Sequence, residues 1–172
     1  MTEQRERIIH YVSDHPGVYF SELVRQLDLA RGQTQYHLRR LLRSGDLENL
    51  DLYGHTHYFA SERDEWKRSA FALARRETPR DVLIYLVENG PSPPAEVASD
   101  LGIARGTLEW HLDRLEEQKI VEKHRDSRRR VTLTLTRPTT TVHVLSAVAP
   151  SVTGRMVDRF TRLVDGLLDS PE

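Results

Sequence analysis

Leu27-Asp-Leu-Ala-Arg-Gly-Gln-Thr-Gln-Tyr-His-Leu-Arg-Arg-Leu41 returns 74 positions later as Leu101-Gly-Ile-Ala-Arg-Gly-Thr-Leu-Glu-Trp-His-Leu-Asp-Arg-Leu115. The two stretches align without a gap, and from Leu27 to Glu48 against Leu101 to Glu122 nine of twenty-two positions are identical. The register extends back through Ile8, Ile9, Tyr11 and Val12 against Val82, Leu83, Tyr85 and Leu86. One fold unit is therefore written twice. With 172 residues in all, each copy has roughly 60 residues of core plus connections, near the lower end of what folds alone.

Outward from the repeat, Ile8, Ile9 and Val12 predict a helix over 5–14, stopped by His15-Pro16-Gly17. Leu23, Val24 and Leu27 share one face of a second helix over 21–27. Asp28-Leu29-Ala30 turns the chain into a third helix over 31–43, with Thr34, His37, Leu38 and Leu41 inward. Ser44-Gly45 ends it, and two short strands, 47–52 and 56–59, follow through Tyr53-Gly54-His55. In the second copy Thr78-Pro79 and Ser92-Pro93 read as caps with first-turn prolines, and Gly102 supplies the turn before the third helix. Val121–His124 then pairs with Val131–Leu135 across a basic tip, Arg125–Arg130.

Between the copies, Trp66, Ala70, Leu73 and Ala74 at helical spacing predict a connecting helix over 61–77 that holds the units rigidly. After Pro138 a short apolar helix over 142–148 precedes a longer one over 152–168 with an apolar stripe of Met156, Phe160, Leu163 and Leu167. The expected fold is mainly α with small β wings (α+β). Its divisions are a first unit over 1–60, the connecting helix over 61–77, a second unit over 78–138 and a C-terminal helical segment over 139–172.

Two helices joined by a short turn, the second followed by a hairpin, form the winged helix-turn-helix, whose second helix enters the DNA major groove. Leu29–Leu41 and Ile103–Leu115 resemble the recognition helices of ArsR- and MarR-type regulators. The tandem arrangement, with Tyr58-Phe59 closing the first wing and Trp110-His111-Leu112 in the second helix, resembles paired winged-helix transcriptional regulators of haloarchaea over residues 5–137. The resemblance implies a DNA-binding transcriptional regulator, with repression by occlusion as the simplest mode. Both copies depart from the pattern in one respect: those families usually open this helix with Ser or Thr, whereas here stand Ala30-Arg31-Gly32 and Ala104-Arg105-Gly106. A side-chain cap is lost, while glycine lets the backbone approach a phosphate at the positive helix end.

A net charge of -1 decides nothing about nucleic acid, because local clusters govern binding. Only Lys67, Lys119 and Lys123 among the 25 basic residues are lysines. That bias fits a GC-rich genome, or a cytoplasm of molar salt in which the screening length falls to ~3 Å and direct arginine forks must carry binding. The exposed face of the first recognition helix is expected to present Gln33, Gln35, Tyr36, Arg39, Arg40 and Arg43, with Arg31 and Gly32 at its start. Glutamine suits adenine edges, and arginine suits guanine edges and phosphates. The matching face of the second copy carries Thr107, Glu109, Trp110, Asp113, Glu116 and Glu117, which repels phosphate. Only the first copy is thus expected to read double-stranded DNA. The second clamps the backbone through Arg125, Arg128, Arg129 and Arg130 or mediates interactions, with His55 a lesser contact on the first wing. Met156, Phe160, Leu163 and Leu167 are the expected homodimer seam. The rival reading is a tandem winged-helix protein-interaction adaptor that does not read specific DNA.

Other classes find little support. There is no cysteine for a disulfide or thiolate metal site. The pair His55-Thr56-His57 has no carboxylate cluster beside it, so neither metal nor cofactor is expected. Glycine-rich phosphate loops and nucleophile motifs are missing, which argues against an enzyme. No apolar run approaches the ~18 residues of a membrane span, and the start is charged, so a cytoplasmic, nucleoid-associated protein is expected. No residue names an effector.

Overall fold

The computed structural model describes residues 2–150, so the expected dimer stripe at Met156, Phe160, Leu163 and Leu167 lies outside the described residues. Contacts divide the chain between Arg75 and Arg76 into two compact units.

The first unit runs α1 (Glu3–Asp14), β1 (Val18–Tyr19), α2 (Phe20–Leu27), α3 (Arg31–Ser44), β2 (Glu48–Leu52), β3 (His55–Phe59) and α4 (Glu65–Ala74). Thr2 caps α1 by accepting the Arg5 N–H, and Ile8 and Val12, one turn apart, are buried. These join Leu23, Leu27, Leu38, Leu41 and Leu47 in one core. Burying each such leucine is worth roughly 1.5–3 kcal/mol relative to leaving it in water, and this anchors α3 from below. Asp28 adopts a left-handed turn (φ 50°) between α2 and α3, and Gly102 occupies the same place in the second unit (φ 67°). In β2 and β3 the register runs from Glu48 opposite Phe59 to Leu52 opposite His55. This leaves Tyr53-Gly54, both with positive φ, as the two-residue turn that matches strand twist. The sheet order is β1-β3-β2. Strand β1 leaves no mark in the sequence pattern because two residues show no alternation.

The helix expected over 61–77 is shorter and more deeply packed. Asp64 starts it by accepting the Lys67 N–H at 3.1 Å, and Trp66 and Ser69–Ala74 are all buried. Phe71 sits over Gly17, where a Cβ would lie 3.2 Å from that of Phe71. Beyond the helix, Arg75 donates to the Pro16 carbonyl oxygen at 3.1 and 3.2 Å and to Glu22 at 3.4 Å. The other Glu22 oxygen accepts from Tyr11 at 2.8 Å. Burial first, and then that carboxylate, push the Tyr11 phenol up to about 12. The pattern Trp66, Ala70, Leu73 and Ala74 therefore marks a structural member of the first unit rather than a separate link.

The second unit runs α5 (Glu77–Asn89), α6 (Pro94–Leu101), α7 (Arg105–Glu117), β4 (Val121–Arg125), β5 (Val131–Leu135) and α8 (Pro138–Val148). Val82, Leu86, Val97, Leu112, Leu115 and Val121 are buried at positions equivalent to Ile8, Val12, Leu23, Leu38, Leu41 and Leu47. Two expected caps are not caps. The N-cap of α5 is Arg76, which places Thr78 and Pro79 inside the first turn. A missing N–H costs no helical bond there, so the proline permits an earlier start. The N-cap of α6 is Pro93, with Pro94 at the first helical position. Ser92, which aligns with Val18 of β1, is buried and exchanges backbone hydrogen bonds with Leu133 at 3.1 and 2.8 Å. It stands in for β1 beside the two-stranded sheet. The hairpin has the expected partners, Val121 opposite Leu135 to Arg125 opposite Val131.

Candidate nucleic-acid interface

Helix α3 exists because Thr34, Leu38 and Leu41 recur on its inner face at steps of four and three and are all buried. The Thr34 hydroxyl is the one polar group there, and it donates to the Ala30 carbonyl oxygen at 3.1 Å. With that stripe committed inward, Arg31, Gly32, Gln33, Gln35, Tyr36, Arg39, Arg40 and Arg43 are exposed. Tyr36 is 53% exposed, with the Arg40 guanidinium 5.8 Å from its ring centre and donating to its hydroxyl at 3.1 Å. Among the described residues, neither Arg39 nor Arg43 has an ion-pair partner. Arg31 lies 5.0 Å over the Phe20 ring, at the mouth of a cleft of about 280 Å³ lined by Phe20, Arg31, Gln35, Leu38, Arg39 and Tyr58. The aromatic floor of that cleft depends on α2 and β3 meeting α3, which no local pattern reveals.

Neither α3 nor α7 has a side-chain cap, since Ala30 and Ala104 stand at the N-cap. The first N–H groups of each helix are therefore not taken by a side-chain oxygen. A Cβ at Gly32 or Gly106 would meet nothing within 4 Å, so neither glycine is demanded by packing.

The equivalent face of α7 is engaged in its own unit. Glu109 accepts from Lys123 of β4 at 2.7 Å and from Arg105 at 3.1 Å, and Glu116 lies 3.6 Å from the same lysine. Burial alone would raise the Glu109 carboxyl, but the hydrogen bonds from Lys123 and Arg105 outweigh it and hold the group below the usual range. The first copy has Gln35 and Asn49 at these two places, so nothing comparable fastens α3 to its wing. No local pattern marks Lys123, because its partner lies fourteen residues away across the helix-to-wing junction. Trp110, like Tyr36, is 53% exposed, and the Arg114 guanidinium lies 3.6 Å from its ring centre.

The second wing tip is held by Asp126, whose carboxylate accepts the N–H groups of Arg128 and Arg130 at 2.8 and 2.9 Å and the Arg130 side chain at 2.7 Å. Those bonds hold the Asp126 carboxyl below its ordinary value. Arg130 is thus internally paired, while Arg125, Arg128 and Arg129 are exposed with no ion-pair partner among the described residues. The two histidines of the first wing part company. His55 is exposed, whereas His57 is fully buried with Nδ1 2.9 Å from the Gly17 carbonyl oxygen, which makes that nitrogen the donor. Tyr19 touches both rings, edge-on to His55 at 5.5 Å and tilted to His57 at 4.8 Å. Among the described residues no group of three or more His, Asp or Glu could hold a metal ion. No helix among them is long and apolar enough to cross a membrane.

His37 and His111 sit at equivalent helix positions beside the exposed aromatics, ring centres 5.3 Å from Tyr36 and 4.8 Å from Trp110. Burial lowers the pKa of both imidazoles, and nearby arginines lower it further, Arg5 and Arg40 for the first and Arg114 and Arg76 for the second.

The fold and these two helix faces define a winged helix-turn-helix protein, with one such unit after another. Residues 2–71 match a family described as an N-terminal HTH domain, and residues 75–122 match the winged helix-turn-helix DNA-binding family. One match falls on each unit, so the chain carries two helix-turn-helix domains in tandem. It is 24% identical over 129 residues to an uncharacterized HTH-type transcriptional regulator of Methanocaldococcus jannaschii. That match takes in 75% of this chain and 32% of the relative, so the chain spans about a third of that protein's length. Among solved structures, overoxidized AbfR bound to DNA is 16% identical, with 81% of this chain and 95% of that chain covered at a TM-score of 0.42. The regulator BldR of Sulfolobus solfataricus is 17% identical, with 80% and 91% covered at a TM-score of 0.37.

Proposed function

We propose that this chain is a sequence-specific DNA-binding transcriptional regulator in which α3 of the first unit enters the major groove. The observation that carries this reading is the contrast between equivalent helices: α3 presents Gln33, Gln35, Arg39, Arg40 and Arg43 to solvent, while the charges of α7 are partly spent on its own wing. Arg39 and Arg43 are available for bidentate contacts to guanine edges or phosphates, and Gln33 and Gln35 for adenine edges, each good base pair of bonds discriminating by ~1–3 kcal/mol. Arg31 and the uncapped start of α3 at Gly32 address the backbone, where charge and helix dipole add. Tyr36 offers an apolar ring to thymine methyl groups.

The second unit takes a supporting role. Arg125, Arg128 and Arg129 reach from its wing tip toward the DNA backbone, with His55 doing the same on the first wing. A homodimer through Met156, Phe160, Leu163 and Leu167 would present two copies of α3 to a palindromic site, half-sites ~34 Å or a multiple apart. Occlusion of a promoter then gives repression. Selection of bound sequences from a random duplex pool tests the reading: it predicts an enriched palindrome with that spacing, and recovery of no preferred sequence would overturn it.

A further inference from the structure

Repeat symmetry makes the two exposed helix faces equal in length and opposite in charge. Tyr36, Arg39, Arg40 and Arg43 of α3 stand at the same repeat positions as Trp110, Asp113, Arg114 and Glu117 of α7. Both stripes therefore span eight residues, seven steps or ~10 Å along a helix at 1.5 Å per residue. From Arg31 to Ser44, α3 carries four arginines and no acid; from Arg105 to Glu117, α7 carries two arginines and four acids. The aromatic anchors are alike in exposure, 53% each, so among the described residues about half of each side chain stays open to solvent.

We propose that α7 is a duplex-imitating cap for α3 of a second copy of this chain, so that self-association and DNA compete for one surface. Seated face to face, Asp113 and Glu117 meet Arg39, Arg40 and Arg43, and Trp110 packs against Tyr36 or against an arginine that already favours aromatic rings in this molecule. Large aromatics and arginine are the side chains that dominate protein interfaces, and this pairing supplies both. One helix face on another buries less than a standard interface, so the contact is transient and salt-sensitive. Its consequence is regulation by concentration: molecules not on DNA mask one another. The masking rests on the reading of α3 as the DNA-binding helix, whereas the self-contact itself does not.

Sedimentation velocity of the full chain tests this at about 0.1 M and about 1 M salt, where screening lengths are ~10 and ~3 Å. The expected result is a sedimentation coefficient that rises with protein concentration at low salt, beyond that of any dimer built elsewhere, and does so far less at high salt. Either Asp113→Lys with Glu117→Lys, or Arg39→Glu with Arg40→Glu, abolishes the rise. Mixing the two variants restores it, because each then offers what the other lacks. All four positions are exposed, so folding is preserved. A rise that survives either reversal, or a mixture that stays dissociated, overturns the proposal. If the charge swap behaves as expected but duplex DNA does not suppress association, the self-contact stands and the DNA reading of α3 fails. If Arg39→Ala with Arg40→Ala weakens DNA binding but the swap does nothing, the DNA reading stands and the cap fails.

Discussion

Replacing Gly32 with Ala separates stability from recognition at one atom. Gly32 lies in the first turn of α3, and a Cβ there meets nothing within 4 Å, so the folded unit accepts a methyl without movement. Alanine is favoured over glycine in a helix by about 0.5–1 kcal/mol. In a unit of this size about 1 kcal/mol shifts the midpoint by roughly 4–8 °C, so the variant melts a few degrees higher. On the proposed reading, the same methyl stands where a phosphate approaches the N–H groups at the uncapped start of α3. Losing one charge-assisted hydrogen bond there costs about 1.5–3 kcal/mol, roughly a 10- to 150-fold rise in Kd. Gly106→Ala is the matched control, since it adds the same methyl in the same open position of α7. It gains the same thermal stability with no loss of DNA affinity. Circular dichroism melting and fluorescence anisotropy on one labelled duplex read both quantities. Unchanged binding by Gly32→Ala, or an equal loss from Gly106→Ala, refutes the placing of a phosphate at Gly32.

Leu38→Ala removes a buried anchor of α3, 3% exposed, and costs about 2–5 kcal/mol in chemical denaturation. His37 and His111 give a pH signature: their folded pKa values lie below the ordinary 6.5, so the unfolded chain binds protons more readily once the pH drops beneath that value. Stability is therefore full above 6.5 and declines as pH falls from there to the lowered folded values, and His37→Gln with His111→Gln flattens that decline in denaturant midpoints measured against pH. Removing Arg128 and Arg129 together reduces the salt slope of DNA binding by about two, one per phosphate contact, while an unchanged slope assigns them to a solvated hairpin. Glu109→Gln weakens the tie between α7 and β4, destabilising the second unit by at most about 1 kcal/mol at these part-exposed groups, and leaves DNA affinity as it was.

The repeat made most of the architecture legible, because periodic burial is a local signal. Leu38 and Leu41, and likewise Leu112 and Leu115, could be oriented from spacing alone, and once they were turned inward the exposure of Arg39, Arg40 and Arg43 followed. What escaped the sequence was set by partners distant along the chain. Ser92 reads as a cap beside proline, yet backbone pairing with Leu133 gives it a strand-like role. His55 and His57 look equivalent until Gly17, forty residues from His57, offers a carbonyl to one of them. Lys123 is an unremarkable wing residue until Glu109 is found 2.7 Å away. The acidic character of α7 was visible, but its partial neutralisation was not. The packing of α4 is hidden in the same way, since its apolar stripe does not say that Phe71 closes over Gly17.

The proposed function turns on the arginines of α3, and not the corresponding face of α7, engaging the double helix. Fluorescence anisotropy on one duplex across a salt series, comparing Arg39→Ala with Arg40→Ala against Glu109→Lys with Asp113→Lys, tests it most directly. The expected result is that the first pair weakens binding at least about tenfold and lowers the salt slope by up to about two, while the second pair binds no more weakly than the unaltered chain. Binding that survives loss of the two arginines but changes with the residues of α7 would contradict it.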